Sequence, residues 1–297
     1  MENVETMMGR GRDAIDMIVD TDSFQEGTVG AKTFDDPEFG PGAVVGTAKL
    51  DGQDVTLIVS DAMGFNEKFP VVYAGIIGME EGYKMAQAVY ASLAADADKP
   101  KEEKRPLVLI VDTPGNGPGK VEEIFGMNKA TGAYQLALAE ARLAGHPIVA
   151  MVIGRAISGA FLCHGLQASN ILSLDSSFGT MIHVMPLTSI SRIIKKDLET
   201  LEELSKGNPV FAAGPQFFYA LGGVEEQIGK VEGMRPAIIE HIKQIRAAVA
   251  AGEDAKLGPW GRGALGAERN GRVVRPKVID LMNQEFAAVA EKYAPSR

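Results

Sequence analysis

The stretch VDTPGNGPGKVEE, residues 111–123, has the composition of a loop that binds through its backbone. Glycine carries no side chain and proline fixes one backbone angle, so such a loop can leave its amides accessible along a stiff path. We single out the amides of Gly115 and Asn116, with Pro114 beside them. Accessible N–H groups can donate hydrogen bonds to an oxygen that gains negative charge. Most Gly/Pro loops only connect elements, so a functional role needs a second feature.

A second stretch, VIGRAISGAFLCHG at residues 152–165, places three small residues between an apolar strand and an apolar helix. These residues are Ser158, Gly159 and Ala160. Small side chains at the start of a helix let a ligand oxygen reach free N–H groups directly. Arg155, on the strand side, either binds a carboxylate or faces solvent, and the sequence favours neither.

Together the two turns predict an oxyanion hole, which would stabilise a thioester carbonyl as it becomes an enolate. One donor in such a hole is worth roughly 3–4 kcal/mol, about a hundred- to a thousand-fold in rate. Because backbone amides supply this stabilisation, no side-chain nucleophile is required. We therefore expect Ser158 to contribute an amide rather than its hydroxyl group.

The histidines are considered one by one. His183, in TMIHVMPL, is a candidate for positioning or protonating the enolate, and a structural role in the core is the alternative. His146 and His164 suit the core, whereas His241 is expected at the surface of a late helix. Because no histidine shares metal-ligand spacing with another His, Cys or carboxylate, we predict no metal site.

Both turns follow strands in a chain where strands and helices alternate. Two β-rich runs within residues 43–62 surround Asp51-Gly52, a strong hairpin signal. The alternation that follows predicts parallel strands joined by helices, and open parallel sheets bind ligands at the carboxyl ends of their strands. The predicted strands are LVLIVDT, PIVAMVIG and NILSL, and the predicted helices cover residues 6–19, 75–97, 121–145 and 158–168.

Beyond Met185 the apolar residues recur at helical spacing, which predicts several further helices. One stretch concentrates aromatic side chains that suit either core packing or an obligate interface with a partner, namely Phe211, Phe217, Phe218 and Tyr219.

The C-terminal part of the chain gives two further predictions. The Gly- and Arg-rich segment 257–277, which holds Trp260, is expected as a solvated connector or as an arm that docks on a phosphorylated group or a partner. A last amphipathic helix should begin at Pro276 and direct five apolar side chains inward: Val278, Ile279, Met282, Phe286 and Val289.

Composition limits the class of protein. With 45% hydrophobic and 23% charged residues in 297, the chain is typical of a globular protein with a sizeable core. A net charge of -9 gives no attraction to nucleic acid or to an anionic membrane. The single cysteine, Cys163, cannot form an internal disulfide and suits the core. Without a signal-peptide core or an apolar run long enough to span a membrane, we predict a cytoplasmic protein.

The two turns also resemble a known family. Asp112, Pro114, Gly115, Pro118 and Gly119, followed by Glu123 and Gly126, match the Asp-x-Pro-Gly-x-x-Pro-Gly pattern of the carboxyltransferase branch of the crotonase superfamily. Within that branch the segment from ARLAGHPIVAMVIG to NILSLD, with MIHVM after it, is most similar to malonate decarboxylase gamma subunits. Many members carry Gly-Gly where this chain has Ser158-Gly159, a departure that leaves the amides available. The resemblance covers roughly residues 40–225.

This resemblance implies an α/β fold, a crotonase-like ββα spiral over residues 41–233, with an N-terminal extension over 1–40 and a helical C-terminal extension over 234–297. It implies one half of a site shared with a carboxyltransferase-like beta subunit. The pair would decarboxylate a malonyl thioester on an acyl carrier protein, or pass its carboxyl group to a biotin carrier protein. No lysine has a Met-Lys-Met biotinylation context, so any biotin would belong to another subunit. The predicted catalytic residues are Gly115, Asn116, Ser158, Gly159 and His183, and the predicted substrate-binding residues are Pro114, Arg155 and Ala160.

Two other functions stay open from the sequence. The placement of Ser158 and His183 also resembles that of Clp-type proteases, which share the superfold, with Ser158 as nucleophile. Against this, no Asp stands between Asp197 and Asp254 to complete a triad, and the Asp-x-Pro-Gly loop has no counterpart there. The third function is a noncatalytic scaffold subunit, in which both turns would be structural.

Overall fold

The computed structural model describes residues 6–185, 187–207 and 214–293. In that part of the chain a mixed sheet has the strand order β1-β4-β5-β6-β7-β8-β10, with β9 paired to β7 and a separate ribbon of β2 and β3. The strands are β1 Gln25–Glu26, β2 Thr28–Val29, β3 Lys32–Thr33, β4 Ala43–Leu50, β5 Gln53–Ser60, β6 Leu107–Thr113, β7 Ile148–Ile157, β8 Asn170–Leu174, β9 Met181–His183 and β10 Glu226–Ile228.

The helices lie on both faces of this sheet. They are α1 Gly11–Ile18, α2 Met79–Ala95, α3 Lys120–Phe125, α4 Met127–Leu143, α5 Ser158–Cys163, α6 Leu187–Ile194, α7 Leu198–Gly207, α8 Pro215–Ala220, α9 Met234–Ala250, α10 Gly258–Glu268, α11 Arg275–Ala287 and α12 Ala290–Tyr293.

The predicted hairpin and crossovers are confirmed. Strands β4 and β5 pair antiparallel across a two-residue turn in which Asp51 and Gly52 have φ of 52° and 76°. Such a pair of positive φ angles matches the right-handed twist of the flanking strands. From β5 to β8 the neighbouring strands are parallel, as helical connections require.

Side chains of β6 alternate between two hydrophobic cores. Leu107, Leu109 and Val111 pack with α2 and α4 on one face, and Val108 and Ile110 pack with α1 and α9 on the other. Because both faces are covered, the strand is a continuous apolar run. The strand ends that carry the two predicted turns are thereby fixed in a rigid sheet.

The N-terminal and C-terminal segments join this second core. Helix α1 buries Ala14, Ile15 and Ile18, and β1 adds to the sheet beside β4. Arg235 of α9 donates a hydrogen bond to the carbonyl of Ile18 and pairs with Asp20.

Two helix predictions need correction. The helix predicted over 121–145 is broken at Gly126, whose φ of 100° ends α3 before α4 begins. The helix predicted over 158–168 ends at Cys163. Strands β9 and β10 are too short to have been recognised from alternation of apolar and polar residues.

The Arg-rich segment is not a solvated connector. Part of it forms α10, where Arg262 is buried and donates to the carbonyls of Leu166 and Ala168. Arg269 donates to the carbonyl of Val224. These arginines satisfy carbonyls that the chain leaves free, so they dock the segment on its own protein.

The inward orientation predicted for the last helix is wrong. Its five apolar side chains are between 38% and 63% exposed, because α11 packs on α10 and not on the sheet. Of the aromatic stretch, Phe211 lies outside the described residues, whereas Phe218 packs edge to face on Phe161.

Candidate active site

The first predicted loop leaves the end of β6 and is held by backbone pairing. The N–H of Ile77 donates to the carbonyl of Gly115 at 3.1 Å, and the N–H of Gly117 donates to the carbonyl of Ile77 at 2.9 Å. Gly115 is buried and has a φ of +147°, which an L residue rarely adopts. Pro114 and Asn116 are half-buried.

The amides of this loop differ in availability. The N–H of Gly115 donates to Oγ1 of Thr113 at 3.3 Å. In the parallel bridge with Ile77, the intervening Asn116 directs its own N–H away from that segment. Among the hydrogen bonds of the described residues none uses this N–H as donor. Asn116 therefore offers the freer amide of the two.

A buried ion pair ties the loop to the second turn. The carboxylate of Asp112 is 1% exposed and accepts hydrogen bonds from the backbone N–H and the Nε of Arg155, each at 2.8 Å. It also accepts from the N–H of Gly9 at 2.6 Å, while Nη2 of Arg155 donates to the carbonyl of Ala74. The carboxylate that Arg155 binds is thus internal. This geometry gives Arg155 a structural role, and the substrate contact predicted for it stays a prediction.

The second turn leaves the end of β7 and lies against the first. Ser158 is exposed and has a φ of 57°, Gly159 is half-buried and Ala160 is buried. A Cβ built on Gly159 would lie 2.7 Å from Oδ1 of Asn116. The first N–H groups of a helix have no partner within it. The structure therefore brings together the two turns that the sequence singled out.

His183 lies beside the second turn, because β9 pairs with β7 and places His183 opposite Ile157. The imidazole is partly buried, and its Nδ1 has no hydrogen-bond partner in the described part of the chain. Burial lowers its pKa, which favours the neutral ring. No hydrogen bond between the described Ser158 and His183 side chains supports a nucleophile and base pair.

The other histidines are structural. His164 is fully buried behind the second turn, where Nε2 bonds to the carbonyl of Ile110 and Nδ1 to the hydroxyl of Tyr134, each at 2.9 Å. Burial lowers its pKa to about 4. His146 is buried and contacts the carbonyl of Arg105.

His241 was expected at the surface and is instead buried. Its ring nitrogens contact Nδ2 of Asn170 at 2.7 Å and the carboxylate of Glu226 at 2.9 Å. Because β10 was not recognised from sequence, the surface that covers this side of α9 was missed. Cys163 is buried as expected, and burial raises its pKa to about 12.

Sequence reasoning missed Glu122. The resemblance pointed to its neighbour Glu123, which is exposed, whereas Glu122 is fully buried directly behind the first loop. The available signal was Gly117, because a glycine in this loop leaves room that the carboxyl group of Glu122 fills.

The geometry can be compared with known proteins. A family model described as malonate decarboxylase gamma subunit, MdcE, matches residues 73–286. The chain belongs to this family. A curated relative, the malonyl-S-ACP:biotin-protein carboxyltransferase MADD of Malonomonas rubra, is 70% identical over 289 residues, which cover 97% of this chain and 99% of the relative.

Solved structures agree with this family assignment. One chain of a Pseudomonas malonate decarboxylase hetero-tetramer in complex with coenzyme A is 29% identical, with a TM-score of 0.70 over 93% of this chain and 99% of the other. A chain of the Pseudomonas MdcD-MdcE hetero-dimer is 30% identical, with a TM-score of 0.61 over 84% and 96%. Transcarboxylase 12S, at 21% identity and a TM-score of 0.63, shares the fold. The predicted family and crotonase-like α/β fold are confirmed.

The described ranges contain neither a metal-binding cluster nor a membrane-spanning helix. Residues 6–185, 187–207 and 214–293 contain no group of three or more His, Cys, Asp or Glu side chains placed to hold a metal ion. In the same ranges no helix has the length and apolar character to cross a membrane.

Proposed function

We propose that this chain is a subunit of a carboxyltransferase that removes the carboxyl group from a malonyl thioester on an acyl carrier protein and passes it to biotin on a separate carrier protein. The observation that carries this proposal is the 70% identity, over nearly the whole of both chains, with a relative named for that reaction. We place the enzyme in the cytoplasm.

The geometry of the two turns fits the chemistry. When the bond between the carboxyl carbon and the α-carbon breaks, its electron pair moves into the thioester and its oxygen becomes an enolate oxygen. The N–H groups of Asn116 and of the turn at Gly159 would donate to that oxygen. A proton at the α-carbon then completes the acetyl thioester. His183 is proposed to position or supply that proton, and Pro114 and Ala160 to line the approach.

A carboxyltransferase-like beta subunit is the proposed partner. The solved relatives are a hetero-tetramer and a hetero-dimer. This chain presents apolar side chains that a partner would cover, among them Ile193 of α6 at 65% exposure and Met282 of α11 at 63%. Obligate interfaces are rich in such surface. The beta subunit would also complete the cleft that one pair of turns leaves open.

Coexpression with a related beta subunit tests this function. Malonyl-acyl carrier protein labelled in the free carboxyl group is incubated with the complex and a biotinylated carrier protein. We expect label on the carrier, and no activity from this chain alone, which should self-associate. Label released only as CO₂, with or without the biotin carrier, would identify a direct decarboxylase. A monodisperse, fully active monomer would show the shared site to be wrong.

A further inference from the structure

Glu122 lies behind the first loop without a role in the chemistry described so far. It is fully buried in the first turn of α3. Its Oε1 accepts a hydrogen bond from the N–H of Met79 at 3.2 Å. Its Oε2 is buried and has no hydrogen-bond partner among the described residues. A buried carboxyl oxygen without a hydrogen-bond partner costs free energy, so its presence here needs an explanation.

The carboxyl group of Glu122 contacts the backbone of two glycines. A Cβ on Gly117 would overlap Oε2, and a Cβ on Gly78 would lie 2.7 Å from Oε1. A side chain at either position would therefore have to displace the carboxyl group of Glu122. The side chain fills the space between the loop and the start of α2.

These two glycines belong to the segments that hold the loop. Gly117 is the residue whose N–H donates to Ile77, and Gly78 follows Ile77 directly. Asn116, whose N–H has no acceptor among the described residues, lies next to Gly117. Glu122 therefore supports the position of the Asn116 amide indirectly, through the backbone hydrogen bond between Gly117 and Ile77.

We propose that Glu122 is a positioning residue for the carboxyl-transfer reaction, which fixes the amide of Asn116 by filling the space between Gly117 and Gly78. This inference rests on the proposed function. A second buried carboxyl group, that of Glu81, also lies close to Gly78, because a Cβ built on Gly78 would meet Oε2 of Glu81. Burial raises the pKa of both Glu81 and Glu122. An amide of the same shape keeps an oxygen that can accept from the N–H of Met79, so glutamine can replace Glu122.

Kinetics of three variants of the coexpressed complex test the role. Glu122→Ala should lower kcat for carboxyl transfer by about 10- to 100-fold and leave KM within about twofold, because the amide acts on the developing charge. Glu122→Gln should stay within about threefold of the wild type, since its shape and acceptor are retained. The matched control is Glu123→Ala, at the exposed neighbouring position, which should change neither constant.

Hydrogen–deuterium exchange provides a measurement that does not depend on activity. Peptides covering residues 113–119 should exchange faster in Glu122→Ala and at the wild-type rate in Glu122→Gln and Glu123→Ala. If wild-type complex transfers no label, the proposed function fails while this exchange result still decides the role of Glu122. Unchanged exchange in a folded Glu122→Ala, or an unchanged kcat, would overturn the proposal.

A variant on the other side of the contact covers the case in which Glu122→Ala does not fold. Gly117→Ala pushes its methyl group against Oε2 and should lower kcat and raise exchange in the same peptides. Combined with Glu122→Gln it should stay impaired, whereas an unimpaired Gly117→Ala protein would show that the contact does not position the loop.

Discussion

Asp112→Asn should destabilise the protein by about 3–5 kcal/mol, because it leaves the guanidinium of Arg155 without its charged partner in a largely buried site. The Asp112 carboxylate accepts four N–H groups, one from Gly9 and three from Arg155, at distances between 2.6 and 3.1 Å. The NH2 group of an Asn side chain would face some of these N–H groups, and two donors cannot form a hydrogen bond with each other. The side chain of Arg155 is only 16% exposed, so solvent cannot replace the lost charge.

Thermal unfolding of the coexpressed complex measures this loss. At roughly 2–4 °C per kcal/mol the Tm should fall by about 10 °C. The matched control is Asp54→Asn, which removes the same charge from a pair with Lys49 in which the two side chains are 48% and 50% exposed. A surface pair is worth about 0–1 kcal/mol, so its Tm should hardly change.

Arg155→Met distinguishes the structural role from a substrate contact. If Arg155 only anchors the strand ends, this variant should lower Tm by an amount similar to that of Asp112→Asn. An unchanged Tm in both variants, with a raised KM for the malonyl thioester in Arg155→Met, would refute the reasoning and restore Arg155 as a ligand of the substrate.

Three further outcomes follow from the site. Gly115→Val should lower kcat a hundredfold or more in a folded protein, because a side chain at a φ of +147° moves the loop, and unchanged kinetics would make the loop structural. Gly159→Ala, whose methyl group meets Asn116, should lower kcat about a hundredfold, whereas the control Gly132→Ala, with open space around its Cβ, should not. Burial lowers the pKa of His164 from 6.5 to about 4, so the unfolded chain takes up a proton at a higher pH than the folded protein does. Acidification from pH 7 to 5 should therefore lower the free energy of unfolding by about 2 kcal/mol. Urea denaturation should show a smaller loss in His164→Gln, and an equal loss would contradict the assignment.

The parallel sheet was predictable because its signals are local. The structures of the turn at Asp51-Gly52 and of the strand LVLIVDT are each indicated by residues within a few positions along the chain. The burial of His241 was not predictable, since the strand that covers it has three residues and lies 13 or more positions away. The exposure of Met282 likewise could not be predicted from periodicity, because an amphipathic pattern does not identify the surface that will cover its apolar face.

The sequence predicted where the backbone turns of the site lie, but not which side chains hold those turns in place. Gly115 and Ser158 follow buried strands, so their positions at one edge of the sheet come from the topology. The partner of Arg155 required knowing that β6 and β7 are adjacent and in register. Glu122 and Glu123 are adjacent and of one residue type, and the sequence does not show which of them α3 buries.

The kcat of Ser158→Ala tests the central claim most directly, which is that backbone amides and not a side-chain nucleophile perform the reaction. Alanine retains the backbone and its amide and removes only the hydroxyl group. We predict a kcat for carboxyl transfer within about tenfold of the wild type, whereas loss of a nucleophile costs on the order of a million-fold. A collapse of that size, with labelling of the wild-type serine by a fluorophosphonate, would contradict the account.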